Sequence, residues 1–386
     1  MPFTSVFGDT RVRAVALQAV AFAGVAGFVA WLVLNTSGNL NDLGISIDFG
    51  FLDDRAGFNI IQTPIPYTND STYLRAFLVG LTNTLIVAAL GVVLATIIGF
   101  AVGIARLSPN WLLSRLAGVY VETIRNTPLL LQLVFWFEAV LLLLPRPQAG
   151  IALPFGANLN NRGLNLPTPS AEPGFAAVVV ALMVAIIAAV GIAVWARRRQ
   201  ARTGRPFPAL WIGLGLVILV PLVVFLAVGA PLRWETPMLE RFNFVGGFVI
   251  IPELAALLVA LSLYTAAFIA EVVRAGVLAV PKGQIEAARA IGLPPFLTLR
   301  KVVVPQALRV IIPPLTNQYL NLIKNSSLAV AVGYPDLVGV FKNTVLNQTG
   351  RAIEVITITM GVYLLISLLT ALAMNLYNAR VAVRQR

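Results

Sequence analysis

Long apolar runs separated by short polar segments dominate this chain. About 20 apolar residues cross a hydrocarbon core. By that measure the pattern predicts eight spans, over 14–34, 74–105, 115–143, 175–196, 208–230, 251–279, 308–332 and 353–378. The second is longer than crossing requires, so it is expected to tilt or to run beyond the bilayer. The first follows Arg11 and Arg13 and is too long for the apolar part of a cleaved signal peptide, so it reads as a retained helix. Residues 35–73 and 144–174 are rich in Asn, Gly, Pro and Thr and read as irregular surface segments. No internal repeat of the kind found in inverted-repeat transporters is visible.

Composition moves this reading from apolar to membrane-embedded. The 386 residues are 58% hydrophobic and 11% charged, with a mean hydropathy of +0.86. An average soluble chain is about a quarter charged, so the expected fold is an all-α integral membrane protein. Cys and His are both absent. That removes disulfides, thiol redox chemistry, imidazole metal ligands and the usual general base, and no nucleophile–base set of a membrane enzyme can be assembled.

A net charge of +12 would suit a nucleic-acid binder. The basic residues instead cluster between apolar runs rather than on one soluble face, which argues against that partner. Of the 28 Lys and Arg residues, 17 fall on the side that also holds both termini and 8 on the other, while Arg125, Arg274 and Lys324 lie within spans. Positive charge favours the cytoplasmic side, so both termini are expected there.

The most informative polar segment is 280–308, VPKGQIEAARAIGLPPFLTLRKVVVPQAL. Gln284–Ile291 can form about two helical turns, Gly292 is placed to cap them, and Pro294 and Pro295 suit the start of a second helix. Neither piece is expected to span. Small Ala287, Ala288 and Ala290 leave room for a surface to approach, and Glu286 and Arg289 can fix its orientation. An amphipathic loop lying on the membrane is the plainer alternative.

These residues also carry a resemblance. Glu286-Ala287-Ala288, Gly292 and the later Val302-x-Val304-Pro305 resemble the EAA loop of binding-protein-dependent ABC importer permeases, with Val where that family usually has Ile and Leu. The resemblance implies a coupling element, with Glu286, Ala287, Ala288, Arg289, Gly292 and Pro294 passing ATP-driven closure of a separate ATPase to the spans. It also implies a five-helix permease core, two copies of the ATPase, a second related permease chain, a periplasmic amino acid-binding protein and a place in the bacterial inner membrane. The chain has no GxxxxGK[ST] phosphate loop, so ATP and Mg are expected on the partner ATPase and no cofactor on this chain.

Further blocks resemble the polar amino acid branch of these permeases: Gly80–Leu85 (GLTNTL), Tyr120–Gln132 (YVETIRNTPLLLQ), Tyr264–Gly276 (YTAAFIAEVVRAG) and Leu315–Ala329 (LTNQYLNLIKNSSLA). With Gly333–Leu337 (GYPDL) they are most similar to general L-amino acid permeases of Gram-negative bacteria. The resulting division is an added first helix and loop in 1–73, two core helices in 74–143, loops and an inserted helix pair in 144–250, and three core helices with the coupling loop in 251–386. A heterodimer with the second permease is implied.

A zwitterion crossing a bilayer needs donors and acceptors at depth. Asn317, Asn321 and Lys324 share one face of the seventh span by their spacing, with Gln318 and Asn325 beside it. Thr265, Gln132 and Glu138 could line the same path, and polar side chains can equally join helices. Glu122 with Arg125 and Glu271 with Arg274 are each three apart and at similar depth, and they read as structural or gating ion pairs. Pro128 should kink or break the third span. The alternative function is an ion-coupled secondary amino acid transporter. It would call for an acidic residue at mid-span, and no Asp falls in any predicted span.

Overall fold

The computed structural model describes residues 10–42 and 47–381. The chain is an integral membrane protein built from long apolar helices. Helix α1 (Thr10–Asp42) comes first, and none of its described residues is buried. It is followed by α2 (Tyr73–Ala105), whose 33 residues reach about 50 Å at 1.5 Å per residue. The third span is divided into α3 (Trp111–Asn126) and α4 (Leu129–Val134), continued by a wider turn over Phe135–Leu141.

Residues 144–174 are not irregular, which corrects the sequence reading. They contain β1 (Ile151–Ala152), β2 (Asn158–Asn160), β3 (Gly163–Leu166) and β4 (Thr168–Ala171). A hairpin of α5 (Phe175–Thr203) and α6 (Ala209–Ala227) intervenes. Then come β5 (Leu232–Glu235), β6 (Met238–Glu240), β7 (Asn243–Val245) and β8 (Phe248–Ile250). The strands pair antiparallel as β1-β2-β3-β8, β4-β5 and β6-β7. Leu164 stands opposite Ile250, so this sheet ties together the two chain segments that flank the hairpin.

The last third holds α7 (Pro252–Leu278), α8 (Lys282–Ala290), α9 (Pro295–Thr298), α10 (Val304–Asn325), the short α11 (Leu346–Thr349) and α12 (Ala352–Val381). Helix α7 is the hub. Leu257, Ala260, Leu261, Ala266 and Ala267 on it are at most 1% exposed. Helix α2 packs directly against it across Gly99 and Gly103. A Cβ at Gly99 would lie 2.6 Å from the Ile269 side chain, and one at Gly103 would lie 2.8 Å from Val273 and 2.9 Å from the Ala270 carbonyl oxygen. Glycines four apart let two membrane helices approach to backbone contact, where dispersion supplies the attraction that lipid cannot.

Candidate functional site

The segment after α7 forms the helix, break and helix that its sequence predicts. Gly292 has φ +77°, a left-handed conformation that costs most other residues about 1–2 kcal/mol. Its N–H donates to the Arg289 carbonyl at 2.9 Å, and the Leu293 N–H donates to that of Ala288 at 3.0 Å, so α8 ends on a glycine cap. Pro294 precedes α9 in extended conformation and Pro295 is its first residue. The second piece departs from expectation. It runs through a wider turn at Leu299–Val303 directly into α10, making it the leading end of the seventh span rather than a separate surface helix. Helix α9 is therefore joined to α10 by continuous helical backbone, while α8 is set off from both by the break at Gly292.

Ala288 is the one buried residue of α8, while Glu286, Ala287 and Arg289 are exposed, as are Gly292 and Pro294 beyond it. Ile291 and Phe296 project with 77% and 68% of their surface exposed. An apolar tip flanked by unpaired charges is costly to leave in water and suits insertion into a partner's cleft.

Helix α10 is two-sided. Ala307, Ile311, Leu315 and Leu322 are buried against the rest of the chain, whereas Asn317, Asn321 and Lys324 are exposed on the opposite face. Pro313 and Pro314 lie inside the helix and are exposed too. Each removes the N–H that would serve the carbonyl four residues earlier, so the Arg309 and Val310 carbonyls lose their usual partners. Freed carbonyls and amide side chains inside a bilayer are tolerated where they line a cavity or meet protein, not lipid. The two prolines strengthen the polar stripe, and the sequence reading passed over them. Lys324 also borders a cavity of about 620 Å³ that it shares with Ser327, Lys342, Thr359 and Tyr363. Gln318 is half-buried, and Glu138 is exposed on the turn following α4.

Thr265 and Gln132 lie on other helices and do not border the cavity beside Lys324. Thr265 is buried on α7. Gln132 is buried at the break in the third span, where its Nε2 donates to the carbonyls of Ile124 at 2.9 Å and Thr127 at 3.0 Å. Its Nε2 thus clasps the broken helix, while its buried Oε1 has no hydrogen-bond partner among the described residues.

The ion pairs divide differently from their spacing. Arg274 and Glu271 pair at 2.6 Å, and Glu271 also pairs with Arg106 at the end of α2, tying α2 to α7. Glu122 and Arg125 do not pair. The Arg125 guanidinium lies 5.0 Å from the centre of the Phe268 ring, a cation–π contact that needs no carboxylate. Glu122 instead borders a polar cavity of about 550 Å³ with Arg106, Arg115 and Arg274.

Two of the family-like blocks meet. Asn83 donates to the carbonyls of Pro335 at 2.8 Å and Gln62 at 3.0 Å, and the Leu337 N–H donates to Thr84 Oγ1 at 3.0 Å. Gly80 permits this, since a Cβ there would stand 3.0 Å from the Leu337 backbone. Asp336, which sequence reasoning missed, is 1% exposed and accepts from the Gly339 N–H at 2.7 Å and the Tyr363 hydroxyl at 3.2 Å. It caps the first turn of the Val338–Val345 segment.

An exposed helix, break and helix leading into a span with one polar face are thus the distinctive features of this segment. The family described as binding-protein-dependent transport system inner membrane component matches residues 181–384. The chain belongs to this family. The permease is 51% identical, over all of its length and 96% of the relative's, to AapQ of Rhizobium johnstonii, a general L-amino acid transport system permease protein. It is 53% identical, over 98% of its length and 97% of the relative's, to YhdX of Escherichia coli, whose own name as an amino-acid ABC transporter permease is provisional. BztB of Rhodobacter capsulatus, a glutamate/glutamine/aspartate/asparagine transport system permease protein, is 41% identical over 98% and 96%. The permease is a transporter subunit and not an enzyme. It works with an ATPase on a separate chain and a substrate-binding protein. Nothing in these relatives supports ion-coupled transport.

Proposed function

We propose that this permease carries polar L-amino acids of broad specificity across the bacterial inner membrane in an ATP-driven importer. The observation that carries the reading is the 51% identity to a general L-amino acid permease along the full chain. The unburied Asn317, Asn321 and Lys324 support it, because they offer donors, acceptors and a positive charge to a zwitterion. Both termini and the 280–308 loop face the cytoplasm in this reading, following the Lys/Arg bias.

Two copies of the ATPase bind ATP and Mg, and their closure moves the coupling residues Glu286, Ala287, Ala288, Arg289, Gly292 and Pro294. A second, related permease covers the polar face of α10, so that the path lies between two chains in a heterodimer. A periplasmic amino acid-binding protein delivers the substrate. The Arg106–Glu271–Arg274 cluster holds α2 and α7 as one unit during this movement. Residues 74–143 and 251–386 supply the five core helices, while 1–73 and 144–250 are additions around them.

Uptake in proteoliposomes holding the co-purified complex and its binding protein tests the proposal, with each labelled amino acid offered with and without ATP. ATP-dependent accumulation of several polar amino acids is expected. Accumulation driven by a proton or sodium gradient without ATP would overturn it.

A further inference from the structure

We propose that the groove between α5 and α6 binds an anionic phospholipid, with one acyl chain in the groove and the headgroup phosphate on Arg197. The groove measures about 510 Å³, with Ile186, Ala189, Val190, Ala193 and Gly213 among its apolar walls and Arg197 and Gln200 at one end. From Ile186 to Arg197 is eleven residues, about 16 Å of helix, close to the hydrocarbon depth of one leaflet. The geometry thus runs from the middle of the bilayer to a guanidinium at headgroup level.

Charge selects the occupant. Arg197, Arg198, Arg199, Arg202 and Arg205 fall within nine residues, and no Asp or Glu occurs between Glu172 and Glu235. The hairpin therefore cannot neutralise its own arginines. Arg199 is turned aside, lying 5.4 Å from the Trp195 ring centre and 5.6 Å from that of Phe207, which leaves Arg197 at the groove. The first helix is a poor occupant because its basic end carries Arg11 and Arg13. A second copy would bring the same five arginines. Basic pockets between membrane helices that open at the headgroup level match phosphate-bearing lipids, and Arg engages phosphate through two parallel hydrogen bonds.

Native mass spectrometry of the detergent-purified complex tests this, with phosphatidylglycerol and phosphatidylcholine of identical acyl chains added in turn. The wild type should retain phosphatidylglycerol under conditions that strip phosphatidylcholine. Replacing Arg197→Gln and Arg198→Gln together should lower retention about thirtyfold, as expected for two lost charge contacts of roughly 1 kcal/mol each. Ala193→Phe fills the groove with every arginine intact and should lower it as well. Inorganic phosphate at matched concentration should not displace the lipid. Equal retention of the two lipids would overturn the proposal, as would retention unchanged in the double variant. Loss of a partner subunit from the double variant, with lipid retention intact, would also overturn it and mark the face as a protein interface.

Discussion

The side-chain nitrogen of Gln132 donates to the Ile124 carbonyl at 2.9 Å, standing in for the backbone N–H that Pro128 lacks. A second bond from the same nitrogen serves the Thr127 carbonyl at 3.0 Å. A helix broken inside a membrane needs such a substitute, because no bulk water reaches the freed groups. Gln132→Leu should leave both carbonyls without this donor and cost about 1–3 kcal/mol. The expected readout is a thermal midpoint of the purified complex lowered by several degrees. An unchanged midpoint would mean that other groups serve these carbonyls.

The coupling loop gives a test that separates shape from stability. Proline holds φ near −65°, so Gly292→Pro cannot adopt the +77° of Gly292. Asparagine tolerates the left-handed region, and Gly292→Asn should lose at most about 1 kcal/mol. The proline variant is expected to insert into the membrane yet lose most ATP-dependent uptake and ATPase co-purification, while the asparagine variant keeps most of both. Normal uptake by the proline variant would remove the coupling role of this turn.

Much of this architecture was legible because hydrophobic length, proline and glycine act locally. The long apolar helices, six of them long enough to cross a membrane among the described residues, the break at Pro128 and the cap at Gly292 each follow from nearby residues. What stayed hidden depends on partners distant in sequence. The spacing of Glu122 and Arg125 permits a pair, but Phe268 comes from another helix and takes the Arg125 guanidinium instead. Strand β3 finds β8 more than 80 residues away, and pieces of two to four residues carry too short a pattern to be seen as strands. Gln132 could be read as polar within a span, yet nothing in its neighbours showed whether it would face a path or the backbone beside it.

The α2–α7 contact predicts a steric failure. Gly99 has the Ile269 side chain at 2.6 Å and the Ala266 carbonyl oxygen at 3.1 Å from where a Cβ would be. Gly99→Leu must separate the helices or bend them, at about 1–3 kcal/mol for overpacking. It should also weaken the Arg106–Glu271 pair seven residues further along α2. Both effects are checked by thermal unfolding of the purified complex, alone and combined with Glu271→Gln. The two substitutions should be less than additive, since the first already pulls apart what the second removes. Full additivity would mean that the close approach and the ion pair act independently.

The polar face of α10 yields the most direct test of substrate contact. Lys324 is exposed on the same side as Asn317 and Asn321 and borders a cavity with Lys342. A substrate carboxylate there would gain a charge-assisted hydrogen bond, of about 1.5–3 kcal/mol. Lys324→Met keeps most of the length of the side chain and removes the charge, so the KM for uptake of acidic and neutral amino acids should rise about tenfold or more. Lys324→Arg should lie between that variant and the wild type. A purely structural lysine would behave otherwise, with lowered complex yield and an unchanged KM in the molecules that assemble. Adding Asn321→Leu distinguishes the cases further, since it removes an amide from the same stripe without touching the charge. If both single variants assemble and transport with the wild-type KM, the stripe serves the contact with the second permease and the substrate passes elsewhere.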